Sequence, residues 1–242
     1  MNPHLEILPP SQRLFFESLA SKVPDHFVLY GGTAIALRLG HRHSVDFDFF
    51  SDKMITSESL ADAMPELRKA KALQASPNSY VYSLPVAGEP VKLSFFGGLG
   101  FGRVGEPDIL PGQLAVASIE DLFGTKLKVI HDRVEAKDYI DIEAILRSGL
   151  TLDVGLCSAL GLYGEQINPL ITVKTLAWFK DGDLEESLTP ETRRFLAKIA
   201  AEYNGAPTPY PVKSRTLTDP TKSVGLEVRR PQRRGSSLDF DM

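Results

Sequence analysis

The sequence predicts an α+β fold, with a small mixed sheet in its first half and a mainly helical C-terminal region. Three observations carry this. Short apolar runs bounded by Gly, Pro and Asp recur up to Phe96. The run Ser44 to Phe50 (SVDFDFF) alternates with the two-residue period of a strand. From Ser118 onward, helix caps and 3.6-residue apolar spacing dominate.

The elements follow in order. Pro9 and Pro10 open a helix that Ser11 is expected to cap, with Leu14, Phe15 and Leu19 on its apolar side. Phe27 to Tyr30 reads as a buried strand, Gly31-Gly32-Thr33 as a tight turn, and Ala34 to Leu39 as a helix ended by Gly40. After the Ser44–Phe50 strand, a helix is expected from Ser57 to Leu73, kinked or broken at Pro65. Tyr80 to Leu84 and Pro90 to Phe96 form two strands joined at Ala87-Gly88-Glu89. Gly97, Gly98, Gly100 and Gly102 read as a flexible connection, because no Lys-Ser/Thr follows to make a phosphate loop. Helices follow from Ser118 to about His131, Asp138 to Leu146, Leu152 to Tyr163 and Thr189 to Tyr203, with a short β segment near Ile171.

These elements suggest a core over 1–117, a helical region over 118–208 that contributes to the site, and a tail over 209–242. The tail is basic at Arg229, Arg230, Arg233 and Arg234 and reads as solvated or as an RNA-phosphate-binding arm. The 242 residues carry 27 basic and 31 acidic side chains, so any nucleic-acid contact has to be local. One cysteine, Cys157, excludes a disulfide framework. No run is long and apolar enough to span a membrane and no secretory signal is visible, so a cytoplasmic location is expected.

The chemistry concentrates in two places. Asp46 and Asp48 are two apart on a strand and so share a face, while Val45, Phe47 and Phe49 point to the other. Paired like charges call for a cation, and Mg²⁺, which takes hard oxygens and bridges phosphates, suits phosphoryl or nucleotidyl transfer. A solvated edge strand is the plainer alternative. The Gly31-Gly32-Thr33 turn at a helix N-terminus can receive a triphosphate through backbone N–H groups, with Thr33 adding a hydroxyl. Arg42 either contacts phosphates or holds the acidic strand by an ion pair. His41 and His43 read as surface histidines.

The second cluster is Lys126, Arg133, Asp138 and Asp141, in which the two acids share a helix face. Lys126 can neutralise a triphosphate or orient the leaving group. Asp138 can orient that lysine, hold Arg133 or act as a base. A salt-bridged helix pair is the alternative.

Together, Gly31, Gly32, Thr33, Arg42, Ser44, Asp46 and Asp48, then Lys126, Arg133, Asp138 and Asp141, resemble the nucleotidyltransferase-fold proteins of the AbiEii type. These include toxins of type IV toxin–antitoxin and abortive-infection systems. The resemblance implies a polymerase-beta-like fold and Mg²⁺ on Asp46 and Asp48. It also implies a nucleoside triphosphate held by the glycine turn, Arg42, Ser44, Arg133 and Asp141, with Lys126 on the phosphates and Asp138 supporting the catalytic cluster. An RNA acceptor, such as the 3′ end of tRNA, and a cognate antitoxin are the implied partners. One departure stands out. The wider superfamily often has a third carboxylate on a neighbouring strand, where this chain has Ser94. Lys92, on the same strand face, can contact phosphate instead, and Glu89 or Asp108 are candidate replacement acids. A relative that binds nucleotide without transferring it is therefore the second reading.

Overall fold

The computed structural model describes residues 1–110 and 112–218, so the four tail arginines lie outside the described residues. Among the described residues, seven strands form one mixed sheet: β1 (Val28–Tyr30), β2 (Asp46–Phe50), β3 (Lys71–Ser76), β4 (Ser79–Val86), β5 (Glu89–Phe96), β6 (Asp108–Ile109) and β7 (Ala115–Val116), in the order β3-β4-β5-β2-β1-β7-β6. The β2–β5 and β1–β7 pairs are parallel and the others antiparallel. The helices are α1 (Pro10–Ser18), α2 (Gly31–Leu39), α3 (Ser57–Ala63), α4 (Ile119–Asp132), α5 (Ala136–Arg147), α6 (Leu152–Tyr163), α7 (Pro169–Leu176), α8 (Leu184–Ser187) and α9 (Pro190–Glu202). An α+β fold with a helical C-terminal region is what the sequence predicts. No single helix among the described residues is long and apolar enough to cross a membrane.

The alternation in β2 decides which face is core. Phe47 and Phe49 are fully buried, stacked on one another and joined by Phe15, Phe27 and Phe95, while Asp46 and Asp48 take the opposite face. On β5, Val91, Leu93 and Phe95 are likewise buried in the core, which places Lys92 and Ser94 with the acids. Val45 departs from the expectation: it lies before β2 and is 48% exposed. The core is one cluster that runs from the sheet through α4, α5 and α6 to α9, so the helical region is packed onto the strands.

Several local expectations are corrected. Pro9, not Ser11, is the N-cap of α1; it makes no side-chain cap bond, Ser11 is buried inside the helix, and Leu14 faces solvent. Gly31-Gly32-Thr33 is the first turn of α2, continuous with β1. The helix expected from Ser57 does break at Pro65, but it does not resume to Leu73: α3 stops at Ala63, Thr56 and Ser59 close its capping box, Pro65 starts a 3-10 turn, and Lys71–Ser76 become the outer strand β3. The segment near Ile171 is helical because Asn168 caps it and Pro169 sits at its first turn, which overrides the β-branched run. The glycine-rich connection is anchored at its start, where Gly97, Gly98 and Leu99 donate to Asn78, Lys53 and Ser51 carbonyls. The β4–β5 turn needs left-handed backbone at both Ala87 and Gly88, the signature of a two-residue hairpin loop.

Candidate functional site

A cavity of about 680 Å³ opens over the polar face of β2. Its lining includes Gly31, Gly32, Thr33, Arg42, Ser44, Asp46, Asp48, Lys92, Ser94, Lys126 and Arg133. The two sequence clusters, some eighty residues apart, therefore meet in one place. Asp138 and Asp141 are fully buried behind the wall and reach the cavity only through the cations they hold.

The carboxylate pair comes first. Asp46 Oδ2 accepts from Lys92 Nζ at 3.2 Å. Burial pushes the Asp48 carboxyl up; the Ser94 hydroxyl hydrogen bond opposes this, and the neighbouring Asp46 charge adds to it. Asp48 is register-paired with Ser94, so the serine does stand at the neighbouring-strand position that often carries a third acid in the wider superfamily. Neither candidate replacement acid is there. Glu89 is at the hairpin end of β5, and Asp108 is ion-paired with Arg38 at 2.7 Å and with the N-terminal amine at 3.0 Å.

The glycines allow two close approaches. Gly31 has φ +72°, and a Cβ there would lie 2.5 Å from Asp48 Oδ2. A Cβ on Gly32 would collide with Arg42 Nη2. The start of α2 is thus pressed directly against the acidic strand, with its first-turn N–H groups free of intrahelical partners. Thr33 does not present its hydroxyl to the cavity. It donates to the Asp46 carbonyl and accepts from Ser44 Oγ at 2.7 Å, so Thr33 and Ser44 tie α2 to the entry of β2.

The cationic wall is held by buried acids. Lys126 Nζ lies 2.6 Å from Asp138 Oδ1 and 2.7 Å from Asp141 Oδ2. Arg133 donates to both Asp138 oxygens, at 3.0 and 3.2 Å. Burial works to lower the Arg133 pKa, but the Asp138 hydrogen bond and charge outweigh it and raise it. Arg42 binds Asp141 in bidentate fashion, at 2.7 and 2.9 Å, and His41 Nε2 donates to the same carboxylate at 2.8 Å. Arg42 therefore holds α5, not the acidic strand, and His41 is part of a buried network, not a surface histidine. Burial opposes ionisation of Asp141, yet the His41 bond, the Lys126 charge and the Arg42 contacts hold it well below the usual carboxylate range. Of the three roles open to Asp138, the geometry fits orienting Lys126 and holding Arg133.

Sequence reasoning missed Leu73, Gln74 and Val81, which line the far side of the cavity. Both Leu73 and Gln74 lie on β3, whose first residues, Lys71 to Leu73, the sequence predicts as the end of a helix.

Among the described residues no group of three or more His, Cys, Asp or Glu is placed to hold a metal ion. Asp46 and Asp48 offer two hard-oxygen donors, and Mg²⁺ commonly takes one or two carboxylates and completes its shell with water and substrate phosphate. Burial and the Asp46 charge both disfavour the ionised Asp48 carboxyl, so a cation beside it is favoured, while Lys92 already neutralises one side of Asp46. The pair fits Mg²⁺ shared with a phosphate ligand.

Comparison with known proteins gives a consistent picture. Residues 13–205 match the family described as nucleotidyl transferase AbiEii toxin, type IV toxin–antitoxin system. An uncharacterized protein of Aquifex aeolicus (strain VF5) is 28% identical over 206 residues, covering 81% of this chain and 97% of that one. A crystal structure from H. pylori superposes with a TM-score of 0.51 at 20% identity, covering 79% of this chain and 92% of the other. MenT4, a nucleotidyltransferase toxin from Mycobacterium tuberculosis H37Rv, gives a TM-score of 0.51 at 13% identity, covering 79% and 80%. At these identities the two structures speak to the fold.

Proposed function

The chain belongs to the AbiEii family of nucleotidyl transferase toxins of type IV toxin–antitoxin systems, and from that premise we propose that it transfers a nucleotide from a nucleoside triphosphate to an acceptor hydroxyl, with Mg²⁺ as cofactor. The acceptor is an RNA 3′ end, such as that of tRNA, and the chain acts as the toxin of a pair with a cognate antitoxin. The observation that carries this reading is the convergence of the Asp46/Asp48 pair, the Gly31–Gly32 helix start and Lys126 on one cavity.

Each group has a role in that reaction. Asp46 and Asp48 hold the cation, which supplies charge neutralisation at the reacting phosphate. The α2 N-terminus takes the terminal phosphates through backbone N–H groups. Lys126 and Arg133 face the same phosphates, and Asp138 and Asp141 fix the direction of those cations. The acceptor oxygen bonds to the α-phosphorus while the bond to the pyrophosphate oxygen breaks; the hydroxyl proton passes to water and pyrophosphate leaves. Fixed cations of this kind act where charge develops and need no rearrangement during reaction.

Ser94 supports one second reading, a relative that binds nucleotide without transferring it, since no carboxylate stands opposite Asp48. The two separate in one experiment. Each labelled triphosphate is incubated with the protein and total RNA, with Mg²⁺ or with EDTA, beside calorimetry of triphosphate binding. Transfer expects label in RNA that EDTA abolishes. Tight binding with no label in RNA overturns transfer to RNA and favours the second reading.

A further inference from the structure

The cavity floor continues past the carboxylates across three more strands. Strand register lines up two transverse rows on this face of the sheet, the second of which leaves the cavity lining beyond Lys92. Asp48 stands opposite Ser94, Ser94 opposite Val81, and Val81 opposite Gln74; Asp46 stands opposite Lys92, Lys92 opposite Ser83, and Ser83 opposite Lys71. Directly paired residues share a sheet face, and at about 4.8 Å per strand each row runs roughly 14 Å from β2 to the outer edge.

The outer end of this floor is locally irregular. Leu73 and Gln74 are consecutive, yet both line the cavity. In a regular strand they would point to opposite faces. The register shift between Ala72 and Gln74 is a bulge, a feature that re-aims side chains beside sites. All of β3 is exposed, and Leu73 is 51% exposed. An apolar side chain and an amide are thus held at the rim without a packing role in the core.

In-line displacement sets the direction of approach. The attacking and leaving oxygens lie on opposite sides of the transferred phosphorus. On the reading above, the pyrophosphate lies toward Gly31, Gly32, Lys126 and Arg133, on the α2 and α4 side of β2. The acceptor must then come over β5, β4 and β3. We propose that this part of the sheet is the platform for the 3′-terminal nucleotide of a single-stranded RNA acceptor. Leu73 and Val81 pack against its base, the Gln74 amide hydrogen-bonds the base edge, and Lys92 and Lys71 face the backbone phosphates. A row that carries Lys92 and, at its outer end, Lys71, beside a row of Val81 and Gln74, matches a single polynucleotide strand with phosphates on one side and bases on the other; Lys92 exchanges its Asp46 contact for phosphate as the cation binds that carboxylate. This rests on the nucleotidyl-transfer reading and extends it to acceptor recognition.

The test is direct binding, so it does not need turnover. A 5′-fluorescein-labelled single-stranded RNA with a free 3′ hydroxyl is titrated by anisotropy against wild type, the Leu73→Ala/Gln74→Ala double variant and Lys71→Glu. Triphosphate binding with Mg²⁺ is followed by calorimetry on the same samples. Loss of the base contacts is expected to weaken RNA binding about tenfold, while triphosphate affinity stays as in wild type. Lys71→Glu, a substitution at an exposed edge position, is expected to weaken RNA binding more at low salt than at high salt. Unchanged RNA affinity in all variants, weakened triphosphate affinity instead, or no RNA binding by wild type would each overturn the proposal. Failure of the underlying reading would show separately, as absence of label transfer by wild type.

Discussion

Asp141→Asn probes the buried network that aims the cationic wall. The carboxylate is fully buried and has four close contacts: Arg42 Nε at 2.7 Å, Arg42 Nη2 at 2.9 Å, His41 Nε2 at 2.8 Å and Lys126 Nζ at 2.7 Å. Asparagine keeps one acceptor oxygen but turns an NH₂ toward cationic donors on either orientation. Breaking a buried ion pair from one side costs about 3–5 kcal/mol. Lys126 retains Asp138 at 2.6 Å, which places this variant at the lower end, about 3 kcal/mol. For a chain of this size that corresponds to a fall in Tm of about 6–12 °C. The pH dependence is a second readout. The Asp141 carboxyl is held below its ordinary range, so its stabilisation is fully present above the unfolded value near 3.9 and is lost as pH falls toward the folded value. Urea unfolding of both proteins should show a constant gap from about pH 5 to 8 that narrows below about pH 4. A gap under about 1 kcal/mol at neutral pH, or one that does not narrow in acid, refutes the reasoning.

Three further outcomes follow from individual residues. Gly31→Ala forces a side chain into left-handed backbone, a strain of about 1–2 kcal/mol, and drives its Cβ against Asp48; thermal melting should show lower stability and a reduced Mg²⁺-triphosphate-induced rise in Tm. Asp48→Asn should leave metal-free stability equal or higher, because burial and the Asp46 charge already disfavour the ionised carboxyl, yet it should remove the Mg²⁺-dependent rise in Tm; a retained rise would contradict the metal assignment. Asp121, which accepts from Val104 N–H, Gly105 N–H and Ser118 Oγ, is pushed up to about 6 chiefly by burial. A raised carboxyl gives stability that is present below the unfolded value and lost as pH rises through about 6, worth about 3 kcal/mol. Asp121→Asn should flatten the stability profile between pH 4 and 6.

The sequence made β2 and its neighbourhood legible because two signals agreed there: strict alternation fixed the face of Asp46 and Asp48, and the glycine pair marked the close approach of α2. The second cluster was legible as a helix face, but its partners were not. Arg42 and His41 meet Asp141 across about a hundred residues, and local spacing carries no record of that contact. β3 was hidden because KALQ is rich in helix formers; its strand state comes from pairing with β4, a tertiary effect that overrides local propensity. The loss of β3 hid Leu73 and Gln74 with it. β6 and β7 are two residues each, too short for any periodic signal. At α7, the cap and the first-turn proline outweighed the β-branched Ile171, Thr172 and Val173.

The claim that Asp46 and Asp48 form the catalytic metal pair is tested most directly by label transfer from triphosphate to RNA in Asp46→Asn and Asp48→Asn. Asp46 is partly exposed and bonded only to Lys92 among the described side chains, so its substitution leaves the fold intact, as melting would verify. Each variant is expected to fold as wild type and to incorporate label at a rate reduced by at least about a thousandfold. Full incorporation by both folded variants would contradict it.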